Sequence, residues 1–245
     1  MRKIRKNKGL VAIAALVFLL VAASTWYVCD YYKSDESVQQ FFHESSTVKI
    51  DEIESGLFID GPGKEKALIF YPGAKVEYTA YVPLMHQIAE NGTDVFLVKM
   101  PCNLAFLEQN RADDIIKNYG YKFWYLGGHS LGGAMAASYS AKHLDSLKGL
   151  VLLAAYPTKS LQAENFSVVS LYGSEDGVLN MDKLEEGRPY MPADYTEICI
   201  DGGNHAQFGN YGIQKKDGDA FISSEEQQNQ TVEAICKMIA TPEKP

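Results

Sequence analysis

Apolar residues fall into two kinds of run, one at the N-terminus and one repeated through the rest of the chain. The first run, residues 9–28, is twenty residues long and contains no charged residue. From Lys66 onward, short continuous apolar runs alternate with segments whose apolar residues recur at helical spacing. Short continuous runs are typical of strands that are buried on both faces. The alternation therefore predicts βαβ units in an α/β domain, with a mostly parallel central sheet and helices on both faces.

The pattern also places the individual elements. Strands are predicted at 67–71, 94–100, 122–126, 147–155, 167–172 and 197–200. Helices are predicted at 83–90, 112–119 and 131–142, and a last helix is opened by a capping box at 223–226. An edge strand or hairpin is predicted near 47–59. Ligands bind beyond the carboxyl ends of the strands in such a sheet, so the residues that follow each strand are the candidates for chemistry.

The N-terminal apolar run is long enough to cross a membrane. At 1.5 Å per residue, a helix over 9–28 spans about 30 Å, the thickness of the bilayer hydrocarbon. The basic segment 1–8 precedes it, and the positive-inside rule keeps that segment in the cytoplasm. We therefore predict a single-pass anchor in the cell membrane, with the rest of the chain outside the cytoplasm. A signal peptide cleaved near the small residues Ala22 and Ala23 is the alternative interpretation.

The length of the chain suits one domain plus this appendage. We divide it into the basic segment 1–8, the transmembrane segment 9–28, a spacer with the first edge strand or strands at 29–60, and one globular domain at 61–245. The chain has 23 Lys and Arg against 31 Asp and Glu. All the charge of the first 28 residues is basic, so the remainder carries a net charge of −13. Such an acidic domain would repel a phosphate backbone, which argues against nucleic-acid binding.

Neither a metal nor a cofactor is predicted. The four cysteines include no C-x-x-C pair, which excludes an ordinary zinc site and a disulfide scaffold. Whether Cys102, Cys199 and Cys236 pair in an oxidising compartment is left open. No spacing of histidines or carboxylates suggests a metal site, and no G-x-G-x-x-G motif opens a predicted helix.

The strongest chemical signal is a serine between a predicted strand and a predicted helix. Gly128-His129-Ser130-Leu131-Gly132 has the Gly-x-Ser-x-Gly pattern of a nucleophile elbow. A very tight turn lifts the serine hydroxyl above the sheet edge, and it crowds the backbone so that glycines are needed two residues before and after. The serine then stands at a helix N-terminus, which favours developing negative charge. His129 is expected to line the turn.

Residues 127–137, GGHSLGGAMAA, resemble the nucleophile elbow of α/β-hydrolase-fold enzymes. The resemblance covers about 66–240 and is closest to the compact serine hydrolases grouped as α/β-hydrolase family 5. It implies the chain order serine, acid, histidine. Ser130 would be the nucleophile, His205 the base that takes its proton, and Asp176 the acid that orients the imidazole. Glu175 and Asp201 are the alternative acids.

The resemblance also implies an oxyanion hole. One donor would be the N–H of Leu131, the residue after the nucleophile. The second would come from the loop after the first predicted parallel strand, where Ala74 holds the donor position and Gly73 is the alternative. Lys75 either reaches the site or points to solvent. Asn103 either contacts the substrate or occupies a turn.

No lid domain is predicted, because only the 11 residues 156–166 separate the two strands between which many relatives insert one. The stretches 180–192 and 208–220 are candidates for partial walls, and Phe208 either contacts the substrate or packs in the core. An open site suits small or surface-presented acyl substrates and predicts a preference for short acyl esters.

The predicted function is a membrane-anchored extracytoplasmic serine hydrolase, most simply a carboxylic ester hydrolase that works through an acyl-enzyme. An acyltransferase with the same triad and a non-catalytic binding module on the same fold are the alternatives. The oligomeric state is left open.

Overall fold

The computed structural model describes residues 2–42 and 47–240, with side chains from residue 9 onward. Within these limits the chain forms two compact units that divide after Tyr31. Parts of the predicted basic segment, of the predicted spacer and of the C-terminus lie outside the described residues.

The first unit contains one long helix, α1 (Arg2–Cys29). Over Gly9–Cys29 this helix is long and apolar enough to cross a membrane, and none of it is buried in the protein. A buried core helix is therefore not the explanation for its composition. A membrane anchor and a signal sequence share this length and composition.

The second unit is built on one eight-stranded sheet. Its strands are β1 (Lys49–Ile53), β2 (Gly56–Asp60), β3 (Lys66–Tyr71), β4 (Asp94–Val98), β5 (Phe123–His129), β6 (Gly149–Leu153), β7 (Ser167–Gly173) and β8 (Asp194–Ile200). The spatial order is β1-β2-β4-β3-β5-β6-β7-β8. Strands β3 to β8 are parallel, whereas β1 and β2 form an antiparallel hairpin at one edge. The predicted mostly parallel sheet and the predicted hairpin are confirmed.

Helices cover both faces of this sheet. They are α2 (Val82–Glu90), α3 (Arg111–Asn118), α4 (Leu131–Ser140), α5 (Met181–Gly187) and α6 (Ser224–Ala240). Alternate residues of β3 belong to two separate buried clusters, because successive strand side chains point to opposite faces. Leu68 and Phe70 join the cluster under α2 and α6, and Ile69 joins the cluster under α3 and α4. The capping residue predicted for α6 is present, since the Ser223 hydroxyl accepts the Glu226 N–H at 3.1 Å.

Two elements of the second unit differ from the sequence-based expectation. Helix α5 was not predicted, and it begins at Asn180, whose side chain accepts the Lys183 N–H at 3.0 Å. Strand β8 begins at Asp194, three residues earlier than predicted. It is an edge strand with several half-exposed positions, so it lacks the continuous apolar run that marks the other parallel strands.

The chain from Tyr32 onward belongs to the folded domain, which corrects the predicted spacer. Tyr32 forms a parallel β-bridge with Val76 in the loop after β3. A 3₁₀ turn, Glu36–Phe42, follows and buries Val38 completely. This segment looks polar in sequence because only Val38 is fully buried, whereas the rings of Tyr32 and Phe41 are partly buried against the core.

Candidate active site

Ser130 stands on a strained turn between β5 and α4. Its backbone dihedrals are φ 51° and ψ −121°, a conformation that L residues rarely adopt. A Cβ on Gly128 would lie 2.5 Å from the carbonyl carbon of Gly132, and a Cβ on Gly132 would overlap the carbonyl oxygen of Tyr71. The turn is held by the Ser130 N–H, which donates to the Leu153 carbonyl at 2.9 Å. The two glycines of the motif are thus sterically required.

Asp176 and His205 lie side by side beyond β7 and β8. The Asp176 Oδ2 is 2.8 Å from the His205 Nδ1, and both side chains are 1% exposed. The other carboxylate oxygen of Asp176 accepts the N–H groups of Val178 and Leu179 at 2.9 and 2.7 Å. These bonds fix the orientation of the carboxylate and thereby that of the imidazole.

The two alternative acids are placed differently. Glu175 accepts a hydrogen bond from the Ser174 hydroxyl at 2.9 Å. Asp201 is exposed in the turn after β8. Of the three candidate carboxylates, Asp176 is the one that hydrogen-bonds the His205 ring.

The second ring nitrogen of His205 is available for chemistry. Its Nε2 is buried and makes no hydrogen bond within the described residues. The ring lies 4.5 Å from the ring of His129, the residue that precedes Ser130. The structure thus brings Asp176 and His205 together but forms no hydrogen bond between His205 and Ser130. Catalytic hydrogen bonds are often long without substrate and shorten when it binds.

A buried tyrosine–histidine pair connects the nucleophile turn to the loop after β3. The Tyr81 hydroxyl is 2.8 Å from the Nδ1 of His129 and accepts the Gly73 N–H at 3.1 Å. Burial raises the pKa of Tyr81, so the hydroxyl keeps its proton and donates it to Nδ1. Burial, reinforced by the charge of His205, holds the pKa of His129 well below its ordinary value. His129 is therefore neutral and does not compete for the proton that His205 would carry.

The Tyr81–His129 pair also distinguishes between the two candidate oxyanion donors, Gly73 and Ala74. The Gly73 N–H is occupied by Tyr81, whereas the Ala74 N–H makes no hydrogen bond within the described residues. Leu131 is the first residue of α4, and the first N–H groups of a helix have no partner inside it. Of Gly73 and Ala74, the geometry favours Ala74 as the partner of Leu131.

Asp217 is a site residue that the sequence did not reveal. Its carboxylate accepts the N–H groups of Gly177, His205 and Ala206 at 3.1, 3.2 and 2.8 Å. It therefore connects the loop of Asp176 to the loop of His205. In sequence it lies in the stretch Lys-Lys-Asp-Gly, which reads as an ordinary polar turn.

The three predicted substrate contacts are placed differently. Phe208 is fully buried and its ring lies 5.7 Å from that of His129, so it packs in the core in this structure, and its contact with substrate stays a prediction. The short 3₁₀ turn Ala206–Phe208 directs the ring inward. Lys75 and Asn103 both have positive φ, 58° and 55°, and the Lys75 N–H donates to the Asn103 carbonyl. Their side-chain roles stay predictions.

Within the described residues, no group of three or more His, Cys, Asp or Glu side chains is arranged to hold a metal ion. All four cysteines are described, and each is unpaired.

Comparison with known proteins supports the fold. Est1E from Butyrivibrio proteoclasticus is 14% identical, with a TM-score of 0.56, and the match covers 80% of this chain and 100% of that one. A membrane phospholipase A described as a bacterial virulence factor is 12% identical, with a TM-score of 0.58, and covers 97% of this chain and 99% of its own. A monoacylglycerol lipase from Paleococcus ferrophilus is 15% identical, with a TM-score of 0.57, over 72% and 96%.

At these identities the structural likeness shows the fold alone. Comparison with curated protein sequences finds no match. The family model described as alpha/beta hydrolase matches residues 67–229, well over half of the chain, and includes the elbow and both partner loops. The chain therefore belongs to the alpha/beta hydrolase family.

Proposed function

We propose that the protein is a serine hydrolase that cleaves carboxylic esters through an acyl-enzyme on Ser130. The observation that carries the proposal is the buried Asp176–His205 pair, whose imidazole lies 4.5 Å from the ring of His129, the residue before a serine held in a strained turn. Family membership supports a hydrolase, and the solved structures with the same fold include esterases and lipases. Esters are the easiest acyl donors for such an apparatus.

The proposed reaction has two halves, acylation of Ser130 and hydrolysis of the acyl-enzyme, and the same groups act in both. The Ser130 hydroxyl attacks the ester carbonyl while the His205 Nε2 takes its proton. The Asp176 carboxylate stabilises the imidazolium that forms, and the N–H groups of Leu131 and Ala74 stabilise the oxyanion. The alcohol leaves with the proton from His205. A water molecule, activated by the same imidazole, then hydrolyses the acyl-enzyme.

The nucleophile is tested by Ser130→Ala in the full chain. We expect ester hydrolysis to fall by at least about 1,000-fold while the fold survives, because the catalytic groups act as a unit. Ser146→Ala is the matched control, since Ser146 is an exposed serine on the loop before β6. Turnover in Ser130→Ala that equals turnover in Ser146→Ala would overturn the assignment.

We further propose that α1 is an uncleaved anchor and that the hydrolase domain lies outside the cytoplasm. The apolar, wholly exposed surface of α1 and the basic residues before it support this arrangement. The intact mass of the protein from the membrane fraction should include residues 1–28. Protease added to right-side-out vesicles should digest the domain or release it. A mature mass that lacks α1, or a domain protected until lysis, would contradict the anchor or the orientation respectively.

A further inference from the structure

The exposed large apolar side chains of the hydrolase domain are concentrated at one edge of the sheet. Among the described residues from Tyr32 onward there are eight, and six of these lie between the carboxyl ends of β4, β7 and β8 and the first residues of the helices α3, α5 and α6 that follow them. We call these six the apolar rim: Phe106, Leu107, Val178, Met181, Ile213 and Phe221. Ile213 and Phe221 are the most exposed, at 92% and 80%. The other two lie elsewhere: Phe42 precedes β1, and Tyr190 follows α5 and lies four residues before the amino end of β8.

The rim and the candidate active site share this edge. Strands β3 to β8 are parallel, so the loops after them all leave the sheet on the same side. Ser130 follows β5, Asp176 follows β7 and His205 follows β8. Phe221 is fixed next to the site because its N–H donates to the carbonyl of Gly202, just after β8, at 2.7 Å.

The domain also begins at this edge. The Tyr32 N–H donates to the Lys75 carbonyl at 2.7 Å, and the Tyr32 hydroxyl accepts the Lys215 N–H at 3.1 Å. Only Asp30 and Tyr31 separate Tyr32 from Cys29, the last residue of α1. Three residues of extended chain reach at most about 11 Å. Covalent connection alone therefore keeps the first residue of the domain close to the end of the apolar helix.

We propose that the apolar rim rests on the bilayer and that the substrates are acyl esters of amphiphilic lipids presented by it. The proposal rests on the proposed hydrolase and anchor functions. The anchor ends three residues before Tyr32, and Tyr32 hydrogen-bonds the loop after β3 and the stretch that carries Ile213, so a short covalent link joins the anchor to the edge that carries the rim. Exposed apolar residues around a site are typical of a surface that contacts a membrane or a protein.

Charge near the rim suits an anionic headgroup layer. Lys215 and Lys216 are exposed and follow Ile213 by two and three residues. Lys33, also exposed, follows Tyr32. Basic side chains at a membrane surface are attracted to anionic lipids. Exposed acidic side chains lie in the same two segments, at Asp30, Asp35, Glu36 and Asp219, so the three lysines are the individual positions at which an anionic headgroup can bind this edge.

The bilayer would also cover a long acyl chain, which in many relatives is the role of a lid domain. The connection between β6 and β7 is too short for a lid domain, so nothing in that connection can enclose a long acyl chain. With the rim on the membrane, the lipid itself excludes water from the mouth of the site. An open site and a long-chain substrate are then compatible.

The first test measures rim depth without using catalysis. The full chain, carrying Trp26→Phe, is reconstituted into vesicles of phosphatidylcholine and phosphatidylglycerol that contain brominated acyl chains. Reporters are introduced as Ile213→Trp and Phe221→Trp, with Tyr190→Trp as the matched control on the stretch before β8. The native Trp124 is buried and gives a common background. We expect strong quenching of both rim reporters and little quenching of the control.

Quenching equal to that of the control would overturn the proposal. Rim reporters that the bromolipids do not quench, but that are shielded from an aqueous quencher, would also overturn it in favour of a protein partner, such as a second copy of the chain. Because the readout is fluorescence, it shows whether the apolar rim contacts the bilayer even if the protein proves to have no esterase activity.

The second test separates bilayer-presented from soluble substrate. Ile213→Ser and Phe221→Ser are compared with Tyr190→Ser on a diacyl glycerophospholipid in vesicles and on a soluble acetyl ester. Loss of one buried apolar side chain corresponds to about a tenfold change in surface engagement. We expect the rim variants to lose about this factor on the vesicle substrate alone. Equal loss on both substrates, or none on either, would contradict the proposal. If the unmodified protein hydrolyses neither substrate, the proposed function fails separately.

Discussion

Asp217 joins the loop of Asp176 to the loop of His205 through hydrogen bonds to backbone N–H groups. Its carboxylate accepts N–H groups from Gly177 on one loop and from His205 and Ala206 on the other. Asp217→Asn keeps the shape of the side chain but replaces one acceptor oxygen with a donor, which leaves buried N–H groups unpaired. We expect kcat to fall about tenfold and the free energy of unfolding to fall by about 1–3 kcal/mol.

Steady-state kinetics and chemical denaturation measure the two effects. Asp219→Asn is the matched control, because Asp219 is exposed two residues further along the same loop. A kcat that is the same in both variants would show that Asp217 does not position His205.

His129 makes the stability of the fold depend on pH. Burial and the charge of His205 hold its folded-state pKa well below the ordinary value. In the unfolded chain the ring titrates near its usual pKa of about 6.5. The unfolded state therefore binds more protons below that pH, and the stabilising contribution is complete above pH 6.5 and is lost as the pH falls.

We expect the free energy of unfolding to fall by up to about 1.4 kcal/mol per pH unit below 6.5 from this group alone. His129→Gln, which can still accept the Tyr81 hydroxyl, removes the titration. The measurement is denaturant unfolding at several pH values in both proteins. Parallel pH profiles would show that His129 is not the titrating group.

Candidate residues that come soon after a strand can be found from sequence, whereas residues that join separate segments of the fold cannot. Ser130 follows β5 directly, and Asp176 and His205 lie three and five residues beyond the ends of β7 and β8, so the chain order and the strand pattern single them out. Tyr81 and Asp217 act through hydrogen bonds to backbone groups distant in sequence, which leaves no spacing signal. The sequence leaves two alternatives open for Phe208, because an aromatic residue after a turn looks the same in sequence whether it faces the site or the core.

At the scale of elements, the close contact between α4 and the end of β3 determines the position of the loop after β3, which carries the candidate oxyanion donor Ala74. A Cβ on Gly132 would overlap the Tyr71 carbonyl and press the loop after β3 away from the helix. We expect Gly132→Ala to lower the free energy of unfolding by about 1–3 kcal/mol and to reduce activity strongly.

Gly120→Ala is the control for this substitution. A Cβ there meets no atom within 4 Å. Thermal unfolding and ester hydrolysis should be close to those of the unmodified protein for Gly120→Ala. A Gly132→Ala protein with unchanged activity would show that the loop tolerates the displacement.

The elements that can be predicted from sequence are those whose buried residues form a continuous apolar run or recur at helical spacing. Strands β3 to β7 are covered on both faces and read as apolar runs, and α2 and α6 carry clear apolar stripes. Helix α5 has seven residues and buries one large apolar side chain, Leu184, so it leaves no periodicity to detect. The segment from Tyr32 to Phe42 is fixed by a β-bridge, one buried valine and the partly buried rings of Tyr32 and Phe41, too few apolar residues to show a helix or strand pattern in sequence.

At the scale of the whole molecule, the predicted preference for short acyl chains should depend on how the substrate is presented. Dissolved monomeric esters meet an open site with no lid, so kcat/KM should be highest for short chains. In the bilayer the membrane covers the acyl chain, so long-chain esters should be hydrolysed. The measurement is kcat/KM against chain length for the full-length protein, in detergent and in vesicles. A steady rise with chain length in detergent, with interfacial activation, would show that 180–192 and 208–220 form a lid.

The central claim is that Ser130 is an activated nucleophile, and one measurement addresses it without any knowledge of the substrate. The folded full-length protein is treated with a fluorophosphonate, and its intact mass and peptide map are recorded. We predict a single adduct, located on Ser130, and no adduct in Ser130→Ala or when His205→Ala removes the base. A folded protein that forms no adduct, or one whose adduct lies on another residue and persists in Ser130→Ala, would contradict the account.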